Sequence, residues 1–260
     1  MSTLVYDIGL HDGMDTGHYL RERSRVVAID ANPVMCAAAE ANFRDYIRTG
    51  QLKVINRGVA EHKGQFEFWV CDDVSEWSSF DRDIASRNGV KHHAITVDCV
   101  PITDIIDEFG VADYMKIDIE GNDRICIAGL TCATASKYIS IEMDYSQGDQ
   151  DIRRLFELGY RGFKVICQNN SWHQVTIRNI GFYQWGPNHF IIRRLRRLRA
   201  AVSKRLSGRR LGESGPWGER TSGSWHSVDH AHSVWCLLHE LDERLGTQGL
   251  GWWWDIHARK

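Results

Sequence analysis

Short apolar runs alternate with helix-length amphipathic segments through residue 168. Leu4-Val5-Tyr6 reads as a strand ending at Asp7, followed by glycines and a helix near Asp15–Glu22. Arg25–Ile29 predicts a second strand ending at Asp30. Pro33 suits the first turn of the next helix, and the Ala-rich stretch Met35–Asn42 is strongly helix-forming. Leu52–Asn56 is a third strand, Gln65–Val70 an antiparallel addition, and Ala94–Val97 a strand-like run with His92-His93 at its loop end. Thr103–Phe109 predicts a helix capped by Thr103. Ala112–Asp118, Tyr138–Glu142 and Gly162–Cys167 complete six strands, separated by helices over Asn122–Leu130 and Asp149–Leu158. Strands alternating with helices imply parallel βαβ units and a sheet covered on both faces. Ligands in such folds bind beyond the carboxyl ends of the strands.

The pattern then changes. Gln168–Gly223 has little periodic order apart from a basic segment near Phe190–Arg210. Ser227–Leu245 reads as an amphipathic helix with the stripe Ala231, Val234, Trp235, Leu238, Leu241 and Leu245. Trp252–His257 reads as a closing strand. The expected organisation is a core over 1–168, an insertion or lid over 169–225 that recognises substrate, and a helix and strand over 226–260 that complete the core.

Composition narrows this only modestly. A chain of 260 residues with 43% hydrophobic and 25% charged positions is an ordinary globular protein, and its net charge of -2 selects no partner. The seven cysteines are odd in number, lack CxxC spacing and sit partly in apolar runs, which predicts buried free thiols and a reducing, cytoplasmic setting. Neither a signal peptide nor an apolar run of bilayer length is apparent.

Candidate chemistry begins where the first strand meets Asp7-Ile8-Gly9-Leu10-His11-Asp12-Gly13, a D-x-G-x-x-x-G turn. Glycines permit positive φ and close approach of a ligand, and the helix start that follows suits a carboxylate or phosphate. Asp30, with Ala31 and Asn32 behind it, ends the second strand, where an acid can accept both ribose hydroxyls. Dinucleotides and S-adenosylmethionine share that recognition. The dinucleotide fingerprint would need glycine at 11 and 14, and His11 and Met14 stand there. The cofactor set is therefore Asp7, Gly9, Asp12, Gly13, Asp30, Ala31 and Asn32, with a plain glycine turn and a solvated acid as the bland alternative.

A second constellation is Lys116-Ile117-Asp118-Ile119-Glu120-Gly121. Alternation in an extended segment puts Lys116, Asp118 and Glu120 on one side, with the two acids at a cleft rim. Ile141-Glu142-Met143-Asp144 brings further acids at the end of the fifth strand. Methyl transfer to a hydroxyl needs a proton acceptor, or acids that hold a hard cation such as magnesium. Asp118 is the first candidate for base and Glu142 the second, with Lys116 holding the carboxylate ionised; Asp118, Glu120 and Glu142 are the metal candidates. A structural ion-pair cluster is the alternative.

Together these residues resemble the FkbM family of methyltransferases. The resemblance is carried by Val5-Tyr6-Asp7-Ile8-Gly9, by Val26–Pro33, and most specifically by Tyr114–Gly121, similar to the family's K-I-D-[VI]-E-G signature. Ile141-Glu142, Gly162–Val165 and Trp254–Ala258 add to it; the likeness spans nearly the whole chain and thins between about 169 and 225. It implies a class I, Rossmann-like methyltransferase fold with an insertion between the last two strands. It also implies S-adenosylmethionine held by Asp7, Gly9 and Asp30, and methylation of a hydroxyl on a sugar or a glycosylated natural product. Asp30 departs from the glutamate more usual in the family.

Other features have bland and functional readings. The cations of Arg193–Arg210 could clamp an anionic or lipid-linked glycan at the inner face of a membrane, or simply form a solvated helix face. No nucleic-acid partner is expected, and a homodimer is admissible. His226, His230 and His232 read as structural, because Ser227 caps the helix between the first two. Trp185, Trp217 and Trp225 are candidates for stacking on sugar faces, Trp252–Trp254 for core and lid packing, and Val74–Phe80 for the border of the cleft. The competing functions are a nicotinamide-dependent oxidoreductase and a non-catalytic binding protein for anionic polymers.

Overall fold

The computed structural model describes residues 3–143, 146–168, 172–186, 189–192, 194, 214–246 and 251–260. The chain divides into two compact units, Met1–Lys137 and Tyr138–Lys260.

The first unit contains β1 (Leu4–Ile8), α1 (Met14–Arg21), β2 (Arg25–Asp30), α2 (Pro33–Asn42), α3 (Arg44–Arg48), β3 (Leu52–Asn56), β4 (Gly58–Val59), β5 (Gly64–Cys71), α4 (Arg82–Ala85), β6 (His92–Val100), α5 (Ile102–Phe109), β7 (Tyr114–Ile117) and α6 (Asp123–Ala128). Strands β7, β1, β2 and β3 lie side by side in that order, all parallel, as the alternating pattern predicts. Their cores are continuous apolar runs: Val5, Tyr6, Ile8, Val26, Ala28, Tyr114 and Met115 are essentially solvent-free, the signature of strands buried on both faces. Burying each such valine or isoleucine contributes roughly 2 kcal/mol. The β1–β7 register sets Asp7 against Lys116 and Ile8 against Ile117, so the polar ends of both strands emerge together.

Strands β4, β6 and β5 form a separate small sheet, with β5 antiparallel to β6. Here the pattern misled. His92 and His93 are not a loop end; they pair with Cys71 and Val70 inside the ladder, and the His93 ring meets Asp72 at 2.9 Å. Thr103 is not a cap either, because α5 starts directly after Pro101, whose extended backbone turns the chain into the helix and buries Ile102, Ile105 and Ile106.

The second unit contains β8 (Tyr138–Glu142), α7 (Gly148–Glu157), β9 (Gly162–Cys167), β10 (His173–Val175), α8 (Val228–Leu245) and β11 (Trp254–Arg259). Strand β11 runs antiparallel between β8 and β9, and β10 pairs antiparallel with the other edge of β9. Helix α8 follows its prediction: Ser227 caps it through the His230 N–H, Gly246 ends it in the left-handed conformation, and Ala231, Val234, Trp235, Leu238 and Leu241 are buried. Only Leu245 of the stripe is exposed. All seven cysteines are free. Among the described residues no helix is long and apolar enough to cross a membrane. Asp144 and, apart from Arg194, the Arg193–Arg210 segment lie outside the described residues.

Candidate functional site

The candidate site is built in the first unit, where β1, β2 and β7 end. Gly9 follows β1 with φ +88°. A Cβ there would lie 1.8 Å from the backbone carbonyl of Asp118. Both conditions demand glycine, since side-chain-bearing residues rarely adopt this φ. The turn is tied to its neighbour: the N–H groups of Gly9 and Leu10 both donate to the Ile29 carbonyl, at 2.9 and 3.1 Å. His11 also has positive φ, at +45°. Its N–H donates to Asp30 Oδ2 at 2.9 Å, while the Asn32 N–H donates to Asp30 Oδ1 at 2.8 Å. Two backbone donors thus fix the Asp30 carboxylate and leave lone pairs on each oxygen. Burial nonetheless raises its pKa above the usual carboxylate value, against the lowering effect of those two bonds.

The remaining predicted cofactor residues shape this turn. Asp12 accepts the Met14 N–H at 2.8 Å across Gly13, which precedes the first turn of α1. Gly13 has φ +78°, and a Cβ there would strike the Phe43 ring. Asn32 caps α2 by accepting the Val34 N–H at 3.0 Å. Ala31 is buried in the apolar cluster of Phe68, Val97 and Cys99.

Beside this turn the Lys116 ammonium sits among three carboxylates: Asp15 at 3.3 Å, Asp118 at 3.4 Å and Asp7 at 3.6 Å. It also donates to the Gly9 carbonyl at 3.3 Å. Burial opposes the charge on Lys116, but Asp118, Asp15 and Asp7 outweigh it and hold the ammonium protonated well above its ordinary range. Asp7 is fully buried. That burial pushes its carboxyl up to about 6, against Lys116 and the Thr16 hydroxyl, which favour the charged form. Three acids around one cation leave the pocket with an excess of negative charge.

Alternation does not carry past the end of β7. Glu120 turns into the left-handed region, φ +46°, and Gly121 follows at +98°. The Ser79 hydroxyl pins this bend by donating to the Glu120 carbonyl at 2.6 Å, and Arg87 meets the Glu120 carboxylate at 3.6 Å. Burial first, then the Asp118 charge, push Glu120 up to about 8 in spite of Arg87. Glu120 therefore lies past the extended segment, in a left-handed bend that the Asp118 charge still reaches.

Several residues escaped the sequence reading. Asp15 and Thr16 are buried on the first turn of α1, and their signal was position: a short helix leaving a glycine turn must press its first turn on the strand end. His11 figured only as an argument against a dinucleotide; its ring bonds the Ser75 hydroxyl at 2.8 Å. Ser75 and Ser79 both belong to the Val74–Phe80 segment expected at the cleft border, whereas nothing in the sequence marked Arg87.

Glu142 ends β8 in the second unit, directly opposite Asp255. Among the described residues no three or more His, Cys, Asp or Glu are grouped to hold a metal ion, so Asp118, Glu120 and Glu142 are not gathered as a magnesium site. Where carboxylates do converge, Lys116 is the cation between them. Ser227 caps α8 between His226 and His230, so His226 lies outside the helix, and the two rings stack at 4.0 Å across the cap. Of the tryptophans proposed for sugar stacking, Trp225 is committed to structure: its indole N–H donates to Glu219, and Lys164 and Arg259 lie over its ring at 4.2 and 5.0 Å. Trp217 packs edge-on against Tyr138, with Arg220 over it. Trp185 is 48% exposed.

The fold is thus of the α/β class with a parallel sheet and acids at its carboxyl edge. The family model described as Methyltransferase FkbM domain matches residues 7–162, more than half of the chain. The chain belongs to the FkbM methyltransferase family. No curated protein sequence matches it. Among solved structures it is similar to methyltransferase FkbM from Methylobacillus flagellatus KT, at 20% identity and TM-score 0.42, over 61% of this chain and 38% of that one. It therefore spans well under half the length of that protein. It is also similar to a precorrin-6y C5,15-methyltransferase from Geobacter metallireducens GS-15, at 11% identity and TM-score 0.41, over 100% of this chain and 82% of that one. A third is an S-adenosylmethionine-dependent methyltransferase from Thiobacillus denitrificans in complex with S-adenosyl-L-homocysteine, at 12% identity and TM-score 0.37, over 100% and 85%.

Proposed function

We propose that this chain is an S-adenosylmethionine-dependent O-methyltransferase whose acceptor is a hydroxyl of a sugar, a glycan or a glycosylated natural product. The observation that carries the reading is the excess of carboxylate around Lys116 beside the Gly9 turn. The cofactor has a cationic sulfonium and an α-ammonium group, and a pocket with surplus negative charge suits both. Asp30, held by two backbone donors with lone pairs remaining, suits ribose hydroxyls. When bound, the cofactor supplies an electrophilic methyl group.

The chain's own residues supply position and proton transfer. Lys116 pairs with Asp118 at 3.4 Å, and Asp118, partly exposed at the end of β7, accepts the acceptor hydroxyl proton. Glu142 is the second candidate for that task. Lys116 acts through Asp118 as a positioning residue. Family membership favours methyl transfer over hydride transfer. The positions of His11 and Met14, where a dinucleotide site needs glycine, argue the same way. A lipid-linked or anionic glycan acceptor would engage the Arg193–Arg210 cations and bring the protein to the inner face of a membrane; salt-sensitive acceptor binding would accompany that arrangement.

Calorimetric titration with S-adenosylmethionine and with NAD separates the competing functions. The reading expects binding of the first alone, followed by formation of S-adenosylhomocysteine when a sugar acceptor is supplied. Binding of NAD alone would mark an oxidoreductase. Binding of anionic polymers with no affinity for either cofactor would mark a binding protein.

A further inference from the structure

The Ser75–Ser79 segment of the first unit is held by its own contacts. Ser79 is buried and pairs through its backbone with Trp69 of β5, at 2.8 and 2.9 Å. Its hydroxyl accepts the Asp81 N–H at 2.9 Å and donates to the Glu120 carbonyl at 2.6 Å. The Ser78 hydroxyl accepts the Cys71 N–H at 3.1 Å, and the Ser78 N–H closes a short turn on the Ser75 carbonyl at 3.2 Å. At the head of that turn the Ser75 hydroxyl meets His11 Nε2 at 2.8 Å. One segment thus reaches the turns after two neighbouring strands, that of β7 through Glu120 and that of β1 through His11.

His11 is engaged at both ends. While its ring is on Ser75, its N–H is one of the two donors on the Asp30 carboxylate. The other donor, the Asn32 N–H, is two residues from Asp30 and belongs to the same turn. His11 is therefore the donor that fixes the carboxylate against the neighbouring strand end. Doing so requires its φ of +45°, in the left-handed region where residues with side chains are uncommon. A more usual φ would force either the N–H off Asp30 or the chain off its course toward Gly13. The Ser75 contact draws the imidazole to a fixed post and opposes that relaxation. The contact survives either neutral tautomer, because a hydroxyl can donate to a bare Nε2 or accept from a protonated one.

We propose that His11, tied to Ser75, is a positioning residue for the cofactor's ribose: it acts through Asp30, and Ser75 is the post on which it depends. The inference rests on the reading of Asp30 as the ribose acceptor. A carboxylate held at a fixed angle accepts from two vicinal hydroxyls at once, whereas one free to rotate loses that alignment. Cutting the tie therefore weakens the hold on ribose and spares the contacts made to the rest of the cofactor.

The test is calorimetric titration of S-adenosylhomocysteine and of its 2′,3′-dideoxy analogue into the full native chain, into Ser75→Ala, Ser75→Thr and His11→Ala, and into the variant carrying both alanines. The ratio of the two affinities measures the preference for ribose. That preference is expected to fall about fivefold in Ser75→Ala and in His11→Ala, the worth of one hydrogen bond. It should fall no further in the double variant, because both alanines remove the same tie, and it should persist in Ser75→Thr, which keeps the hydroxyl. The dideoxy analogue should bind all variants nearly as it binds the native chain. The two single variants cut the tie from opposite ends, so either one decides. An undiminished preference in them, or an equal loss for both ligands as a merely structural role would give, overturns this inference and leaves the reading of Asp30 standing. A native chain that binds S-adenosylhomocysteine without preference for ribose, or does not bind it, overturns the reading of Asp30 and this inference with it.

Discussion

The acids of the first unit and those around Glu219 in the second have opposite fates. Asp7 is pushed up to about 6 and Glu120 to about 8, chiefly by burial, and Asp30 is also raised. Glu219 is pushed down to about 2 by hydrogen bonds from Trp225, Arg259 and Tyr138. The same carboxylate chemistry is strained in one place and satisfied in the other. Glu219 ties Tyr138, Trp225 and Arg259 together, an arrangement complete without a ligand. The first-unit acids are held in spite of burial, three of them around Lys116, where the proposed cofactor would bring further positive charge. Around the strand ends of the first unit His11 and Glu120, both with side chains, sit at positive φ beside Gly9 and Gly121.

The sharpest way to break this comparison is Asp118→Asn, which should lower turnover of a sugar acceptor by roughly 10²–10⁴-fold while leaving cofactor affinity nearly intact. Full turnover would remove Asp118 from proton transfer. Next comes Gly9→Ala: forcing a Cβ against the Asp118 carbonyl at positive φ should cost roughly 3 kcal/mol, read as a lower unfolding midpoint, with loss of cofactor binding. A stable variant with normal binding would show that the turn is not the cofactor's seat.

A smaller effect is expected from pH. The Asp7 carboxyl is raised from the ordinary 3.8 to about 6 in the folded protein. The folded state therefore holds the extra proton between those values, and stability contributed by that proton falls as pH rises through the window. A cationic cofactor favours the ionised form, so its affinity should drop roughly tenfold from pH 7 to pH 5 with proton release on binding. Calorimetry in buffers of different ionisation enthalpy measures this, and a flat profile would mean that Asp7 does not sense the ligand. Glu219→Gln should have the smallest functional effect, a modest fall in unfolding temperature with unchanged cofactor affinity. Because Glu219 is lowered, its contribution is present above the ordinary glutamate range and fades as pH falls toward 2. A loss of cofactor binding in this variant would erase the distinction between the two regions.

Much of this was legible in the chain before its structure. Apolar runs ending in Asp7, Asp30 and Lys116-Ile117-Asp118 placed β1, β2 and β7 closely, because a strand buried on both faces leaves a continuous hydrophobic signal. The glycine turn was readable because positive φ leaves few residue choices. Three things were not. Glu120 was placed by strand alternation, which stops when the backbone turns left-handed one residue before Gly121. Arg87 and the pairing of β5 with β6 depend on tertiary contact between segments whose local patterns are weak. Trp253 was hidden in a run of three tryptophans, where composition suggests core and only the ladder register separates the exposed ring from its buried neighbours.

The most direct test of the central claim, that the first unit is an S-adenosylmethionine cleft anchored on Asp30, is a calorimetric titration of that cofactor into the native chain and into Asp30→Ala at pH 7. Saturable binding to the native chain and a loss of about 100-fold or more in the variant are expected, since the ribose loses a charged acceptor and the His11 and Asn32 N–H groups lose theirs. No binding by the native chain, or equal binding by both, would contradict the account.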